Sequence, residues 1–125
     1  MNLPISTQAV DHYSLIVADT QRAVDFYLKL FDWQVIARPD LGFAGAWIQT
    51  SHFNIHLLEV PSPCSKVRPE HGGRDYHLAL QVSDLTQVMS KLDAEGVSYT
   101  LSRSGRRALF FKDLDQNAWE LVENA

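Results

Sequence analysis

The chain has 125 residues, a formal net charge of −4 and an apolar fraction of 46%. These values fit a single globular domain and predict no second independent core. Lysines and arginines are scattered, which argues against a nucleic-acid partner, and no apolar stretch could cross a membrane. The start of the chain lacks a signal-peptide pattern. The single cysteine, Cys64, excludes an internal disulfide and suits a reducing compartment, so we expect a cytoplasmic protein.

The first half of the chain reads as one strand, one helix and three further strands. Alternating β-formers predict a strand at 10–17, and Asp19 or Thr20 is positioned to cap the helix that follows. Further strands are predicted near 33–37, 44–50 and 53–60. Residues 61–74 contain three prolines and two glycines and are therefore the predicted linker.

The second half has the same order of elements. A strand is predicted at 76–82, followed by a helix that Ser83 or Asp84 caps and that Gly96 ends. Three strands near 97–102, 108–112 and 118–123 complete this half. The order predicts an α+β fold made of two βαβββ modules, at about 8–60 and 75–123, within one domain that spans 1–125.

The two halves also match residue by residue, as an internal duplication would. Residues 12–19 (HYSLIVAD) align with 77–84 (HLALQVSD) at an offset of 65. Residues 54–59 (NIHLLE) align with 118–123 (AWELVE) at an offset of 64, which makes His56 equivalent to Glu120.

Four side chains at repeat-equivalent positions are candidate metal ligands. Strand parity directs apolar residues toward the helices and leaves four donors on the opposite, inner face: His12, His56, His77 and Glu120. A half-exposed sheet that merely faces water would carry mixed polar residues there. Three imidazoles and one carboxylate suit one divalent transition ion, either Zn, Ni, Co, Mn or Fe(II). If all four residues bind a tetrahedral ion, the site is closed and could be structural only.

Other side chains are candidates for binding a substrate. Arg103 lies in an arginine-rich stretch that is either an anion clamp or a solvated hairpin. Phe110 and Phe111 lie on opposite faces of one strand, and Phe111 is taken as the one that lines the cavity. Trp47 is the other predicted aromatic wall. His52 and His71 are assigned no role.

Several motifs together resemble those of the vicinal oxygen chelate superfamily, to which glyoxalase I, bleomycin-resistance proteins and extradiol dioxygenases belong. They are DHYSLIV at 11–17, AVDFY at 23–27, YHLALQV at 76–82 and LFFKDLDQNAWEL at 109–121. The resemblance implies cupped mixed sheets with the helices on their outer face. It also implies a homodimer in many members, whereas in others the cups form within one chain.

The same resemblance implies a metal-dependent lyase, isomerase or dioxygenase that chelates a small substrate through neighbouring oxygens. Glu120 or His56 would then move the proton. The ligand positions of bacterial glyoxalase I read His, Glu, His, Glu, so His56 departs from that pattern. In the dioxygenases and the fosfomycin-resistance thiol transferases, three ligands map onto His12, His77 and Glu120. His56 would then be a fourth ligand, a hydrogen-bonding neighbour or a general base.

Two other functions remain open within the same resemblance. One is a ligand-sequestering protein of the bleomycin-resistance type, which would use an aromatic cavity without catalysis. The other is a thiol transferase of the fosfomycin-resistance type. Ser14, two residues after His12, and GAWI at 45–48 resemble those enzymes, and Ser14 is therefore a candidate substrate-binding residue. The turn at 113–117 lacks the proline and glycine that are common in the family.

Overall fold

A computed structural model describes residues 2–64 and 67–124, so linker residues 65 and 66 lie outside the described part. It confirms an α+β fold with two four-stranded mixed sheets, each carrying one helix. The elements of the first module are β1 (His12–Ile16), α1 (Thr20–Leu30), β2 (Gln34–Ile36), β3 (Gly45–Gln49) and β4 (Asn54–Leu58). Those of the second are β5 (His77–Val82), α2 (Leu85–Ala94), β6 (Tyr99–Leu101), β7 (Ala108–Lys112) and β8 (Ala118–Glu123). A short 3₁₀ turn, Gly72–Arg74, lies in the linker.

Both sheets have the same topology. The strand orders are β1-β4-β3-β2 and β5-β8-β7-β6, and the first pair in each sheet is parallel. The first strand of each module is therefore an edge strand, which has a hydrogen-bonded neighbour on only one side.

The helix caps follow from side chains that bond backbone N–H groups at the helix start. Asp19 accepts a hydrogen bond from the Arg22 amide at 3.0 Å, and Asp84 accepts one from the Gln87 amide at 3.1 Å. Of the two predicted cap residues in each module, the aspartate is the one that caps. Gly96 has a φ of +69°, as the glycine after a helix commonly does.

The two modules share one hydrophobic core. Phe26 and Tyr27 on α1 contact aromatic rings of the second sheet, with Tyr27 and Trp119 5.8 Å apart between centroids. Strand parity sorts the faces as predicted, because Leu15, Leu57 and Leu121 are buried on the helix side. Neither described helix is long and apolar enough to span a bilayer.

The closing turn at 113–117 is built around a buried carboxylate instead of proline and glycine. Asp113 accepts hydrogen bonds from the amides of Asp115 and Asn117 at 2.8 and 2.9 Å. Gln116 takes the left-handed conformation, with a φ of +69°. The Asn117 side chain reaches across the module boundary and donates to the Ile16 carbonyl at 3.1 Å.

Candidate metal centre

His77 and Glu120 form a pair on the inner face of the second sheet. They lie on the adjacent strands β5 and β8, offset by two residues in the register. His77 Nε2 is 3.3 Å from Glu120 Oε1. The Glu120 side chain is only 11% exposed, and a carboxylate in such a place needs a partner.

A backbone hydrogen bond fixes which nitrogen of His77 carries the proton. Its Nδ1 lies 2.9 Å from the Asp75 carbonyl oxygen, which only accepts hydrogen bonds. Nδ1 is therefore the donor, and Nε2 is the nitrogen that faces Glu120 and could offer a lone pair to a metal ion. Asp75 is itself held by Arg68, whose Nε donates to Oδ2 at 3.0 Å. The bidentate Arg68 guanidinium holds the pKa of Asp75 below its usual value.

This pair fits a divalent metal ion. A lone pair and a carboxylate oxygen 3.3 Å apart repel each other unless a proton or a metal ion lies between them. Because metal–ligand bonds are about 2.1 Å long, two atoms 3.3 Å apart could both bind one ion. Imidazole nitrogen and carboxylate oxygen are also common ligands of transition ions.

His12 on β1 has the same kind of orientation. Its Nδ1 lies 2.7 Å from Asp11 Oδ2, so Nδ1–H donates a hydrogen bond to the carboxylate and Nε2 is left free. Carboxylate–histidine pairs of this kind commonly support metal ligands, because they fix the tautomer and make the ring more basic. The His12 side chain is 40% exposed.

His56 on β4 lies between two other rings. The His12 ring is 3.9 Å from it between centroids with the planes 13° apart. On its other side the Trp47 ring is 4.2 Å away, with the planes 7° apart. Partial burial lowers the pKa of His56 below its ordinary value, and the neighbouring charge of His12 lowers it further.

The four predicted ligands thus form two pairs, His12 with His56 on the first sheet and His77 with Glu120 on the second. Within residues 2–64 and 67–124 of one chain, no group of three or more His, Cys, Asp or Glu side chains is placed to hold a metal ion. The four-residue ligand set therefore stays a prediction.

The predicted substrate-binding residues divide between the inner face and the core. Ser14 and Trp47 lie on the inner face, where each is directly paired with His56 in the register. The placement of Phe111 was wrong, because its ring is 1% exposed and packs in the core against Phe26 and Trp119. The alternation along β7 instead puts Phe110 on the inner face, next to Glu120 in the register and 5.0 Å from His77 between centroids.

His71, to which the sequence assigned no role, lies beside this site. Its Nδ1 is 2.8 Å from Thr100 Oγ1, and its ring packs edge-on against Phe110 at 5.0 Å. Partial burial lowers the pKa of His71, and the charges of Arg103, Arg74 and His77 lower it further. Arg103 lies in the exposed β6–β7 loop. The sequence signal for this packing is the Gly72-Gly73 pair. In the structure, a side chain on Gly73 would collide with the His71 ring, because its Cβ would lie 2.8 Å from His71 Nε2.

A separate cavity of about 840 Å³ runs along the free edge of β1. It lies between β1, the linker and the closing turn, and none of the four predicted ligands lines it. Its polar and aromatic lining includes Tyr13, Ser14, Arg68, Tyr76 and Asn117.

Comparison with known protein families gives a match over nearly the whole chain. Residues 9–121 match the model of the glyoxalase/bleomycin resistance protein/dioxygenase superfamily. A curated relative, glyoxylase I 4 of Arabidopsis thaliana, is 28% identical to the chain, and the match covers 90% of this chain and 68% of the relative.

Solved structures share the fold at low sequence identity. A variant of the fosfomycin resistance protein FosX from Listeria monocytogenes, complexed with Mn(II) and 1S,2S-dihydroxypropylphosphonic acid, has a TM-score of 0.76 at 17% identity; the match covers 98% of this chain and 95% of FosX. TnmS3, an antibiotic-binding protein from Streptomyces sp. CB03234, has a TM-score of 0.75 at 19% identity; the match covers 98% of this chain and all of TnmS3. The family match and the two duplicated modules show that the chain belongs to the glyoxalase/bleomycin resistance protein/dioxygenase superfamily, also called the vicinal oxygen chelate superfamily.

Proposed function

We propose that the protein is a metal-dependent enzyme that binds one divalent transition ion per site and chelates a small substrate through neighbouring oxygens. His12, His77 and Glu120 would hold the ion. The reaction would be of the lyase, isomerase or dioxygenase type found in this superfamily.

The observation that carries the proposal is the arrangement of His77 and Glu120. Both the tautomer of His77 and the 3.3 Å separation fit a cation between the two side chains. Three ligands from two histidines and one carboxylate also leave coordination positions for a substrate.

The chain's own residues supply the remaining chemistry. When bound, a divalent ion would polarise the substrate oxygens and stabilise the negative charge that forms on them. Among the described side chains, Glu120 is best placed to accept a proton from the substrate and return it, because its carboxylate is nearly buried at the site. Trp47 would supply an apolar wall that holds the substrate carbon chain, and the buried Phe110 would support the His77 ring from behind.

We further propose that the site is completed by a second copy of the chain in a two-fold dimer. Each chain carries the predicted ligands as two separate pairs on two sheets, and β1 and β5 are both edge strands. A two-fold axis would place His12 of one copy beside the His77–Glu120 pair of the other, and it would make two equivalent sites.

Metal content tests the proposal directly. The protein is purified without chelators and without a nickel column, and its metal is measured by plasma mass spectrometry beside three variants: His12→Ala, His77→Ala and His52→Ala. His52 is the matched control, because it is an exposed histidine in the β3–β4 turn whose hydrogen bonds go to its neighbours Ser51 and Thr50.

We expect one ion per chain in the wild type and in His52→Ala, and none in the other two variants. The identity of the metal would then separate the reaction classes. Iron would direct assays toward dioxygenases, nickel or zinc toward isomerases, and manganese toward thiol transfer. A wild-type protein that holds no ion, even after incubation with each candidate metal, would refute the chelation mechanism.

The basic surroundings of His71 favour a substrate that carries an anionic group. Arg103 and Arg74 are close enough to lower the pKa of His71, and neither has a carboxylate partner among the described ion pairs. Guanidinium groups bind carboxylates and phosphates well. We therefore expect Arg103→Ala to raise KM for an anionic substrate and to leave metal content unchanged.

A second candidate function is sequestration of a ligand without catalysis, which the cavity beside β1 favours. Its volume of about 840 Å³ is typical of sites that bind drug-sized molecules. Two tyrosines line it and no predicted metal ligand does. Equilibrium binding to a His12→Ala/His77→Ala double variant separates the two functions, since sequestration in this cavity would survive and metal-dependent binding would be lost.

A further inference from the structure

Three aromatic rings form a continuous stack across three neighbouring strands of the first sheet. The order is Trp47 on β3, His56 on β4 and His12 on β1, with centroid distances of 4.2 and 3.9 Å. Trp47 and His56 are directly paired in the register, whereas His12 is offset from His56 by two residues. Ser14 is the residue directly opposite His56 on β1.

The stack prevents His12 and His56 from binding one ion together. An imidazole nitrogen binds a metal through a lone pair that lies in the plane of the ring, at a distance of about 2.1 Å. The two ring planes are 3.9 Å apart at their centroids and inclined by only 13°, so they meet far beyond that distance. An ion in the plane of His12 is therefore out of reach of the His56 lone pairs.

Rotating His56 into a ligand position would break contacts on both of its faces. The ring would leave Trp47 and His12 at once, and no other aromatic ring in the described residues lies within stacking distance of it. Aromatic pairs in such contacts stabilise a structure beyond the effect of their buried area.

We propose that His56 is a positioning residue that holds the ring plane of His12 and is not itself a metal ligand. The inference rests on the proposed metal site. His12 then has two independent constraints. Asp11 fixes its tautomer through Nδ1, and the stack fixes the plane in which Nε2 presents its lone pair.

Cobalt binding to a matched set of variants tests this role. Co²⁺ alone is the probe, and its affinity, stoichiometry and visible absorption spectrum are measured for the wild type and four variants. In His56→Phe the flat ring is kept and the nitrogens are lost, and in His56→Ala both are lost. His12→Ala removes a proposed ligand, and His52→Ala is the surface control.

We expect His56→Phe to keep the wild-type stoichiometry and absorption spectrum, with an affinity close to that of the wild type. His56→Ala should bind about 10–100-fold more weakly, as supporting residues of metal ligands typically do. His12→Ala should lose the site. If His56→Phe loses cobalt as His12→Ala does, or if its spectrum shows a changed ligand set, His56 is a ligand and the inference is wrong.

A metal-free measurement keeps the two proposals distinguishable. In the apo protein, stacking on His56 should shift the carbon-bound ring protons of His12 upfield, and this shift should persist in His56→Phe and disappear in His56→Ala. A wild type that shows this shift but binds no cobalt would refute the metal site. A wild type that binds cobalt without the shift would refute the positioning role. Thermal unfolding of each variant confirms that it is folded.

Discussion

The phenol oxygen of Tyr27 lies 2.6 Å from Oδ2 of Asp113, and this buried hydrogen bond joins the first module to the second. The same oxygen accepts a hydrogen bond from Trp119 Nε1 at 3.0 Å. The phenol thus connects α1 to β8 and to the closing turn. Burial raises the pKa of Asp113, and the hydrogen bonds from Tyr27 and Asn117 oppose that rise.

Removing the Tyr27 hydroxyl should weaken the contact between the modules. Tyr27→Phe leaves Asp113 Oδ2 with one donor fewer and the Trp119 indole N–H without its acceptor. A buried polar group without a hydrogen-bond partner costs about 1–3 kcal/mol, and we expect a loss of about 2 kcal/mol in the free energy of unfolding. Urea denaturation measures it, with Tyr76→Phe as an exposed control. An effect no larger than that of the control would contradict the proposed importance of this bond.

Asp113→Asn should be destabilising even though the two side chains are nearly the same size. Four donors point at the Asp113 carboxylate, two at each oxygen. An amide NH₂ in place of either oxygen would face two N–H or O–H donors. We expect a loss of about 2–3 kcal/mol at neutral pH, measured by chemical denaturation. Asp93→Asn on the exposed surface of α2 should change stability little, and equal losses in the two variants would contradict this account.

Arg68→Gln should lower stability in a pH-dependent manner. Arg68 holds the pKa of Asp75 below its usual value. The charged carboxylate is therefore more favourable in the folded state than in the unfolded chain, and it adds to stability. This contribution is fully present above the usual aspartate pKa and is lost as pH falls through the lowered value. We expect a loss of about 2–3 kcal/mol at pH 7. The difference from wild type should shrink when denaturation is repeated in steps from pH 5 toward pH 3. A difference that does not depend on pH would show that the ion pair is not its cause.

Mixing two variants that each fail to bind metal should restore metal sites if the sites are shared between chains. In a heterodimer of His12→Ala and His77→Ala chains, one site carries both substitutions and the other carries neither. Random exchange of subunits should therefore restore about a quarter of the wild-type metal content. Plasma mass spectrometry after removal of free metal measures this, and light scattering gives the oligomeric state. No restoration after proven subunit exchange would show that the site does not combine His12 and His77 from different chains.

Much of the fold and of the candidate site could be predicted because the relevant signals are local. Alternation along a strand decides which face a side chain takes, which is why His12, His56, His77 and Glu120 were placed correctly on the inner faces. Alternation also shows that Phe110 and Phe111 take opposite faces. It does not say which of two equally apolar residues packs toward the helices, and for that reason the prediction that Phe111 lies on the inner face is wrong.

The sequence alone determined the duplicated βαβββ order, the capping aspartates and the type and face of each candidate ligand. These depend on residue patterns within a few positions of each other. Only the tertiary structure decided that His56 lies flat between Trp47 and His12 and that His71 packs over Phe110. It also decided that Arg68 and Asp75 stand behind His77, and that Tyr27 and Asp113 join the modules. Several of these contacts join residues distant in the chain, and all of them depend on side-chain orientations that packing selects and local patterns do not encode.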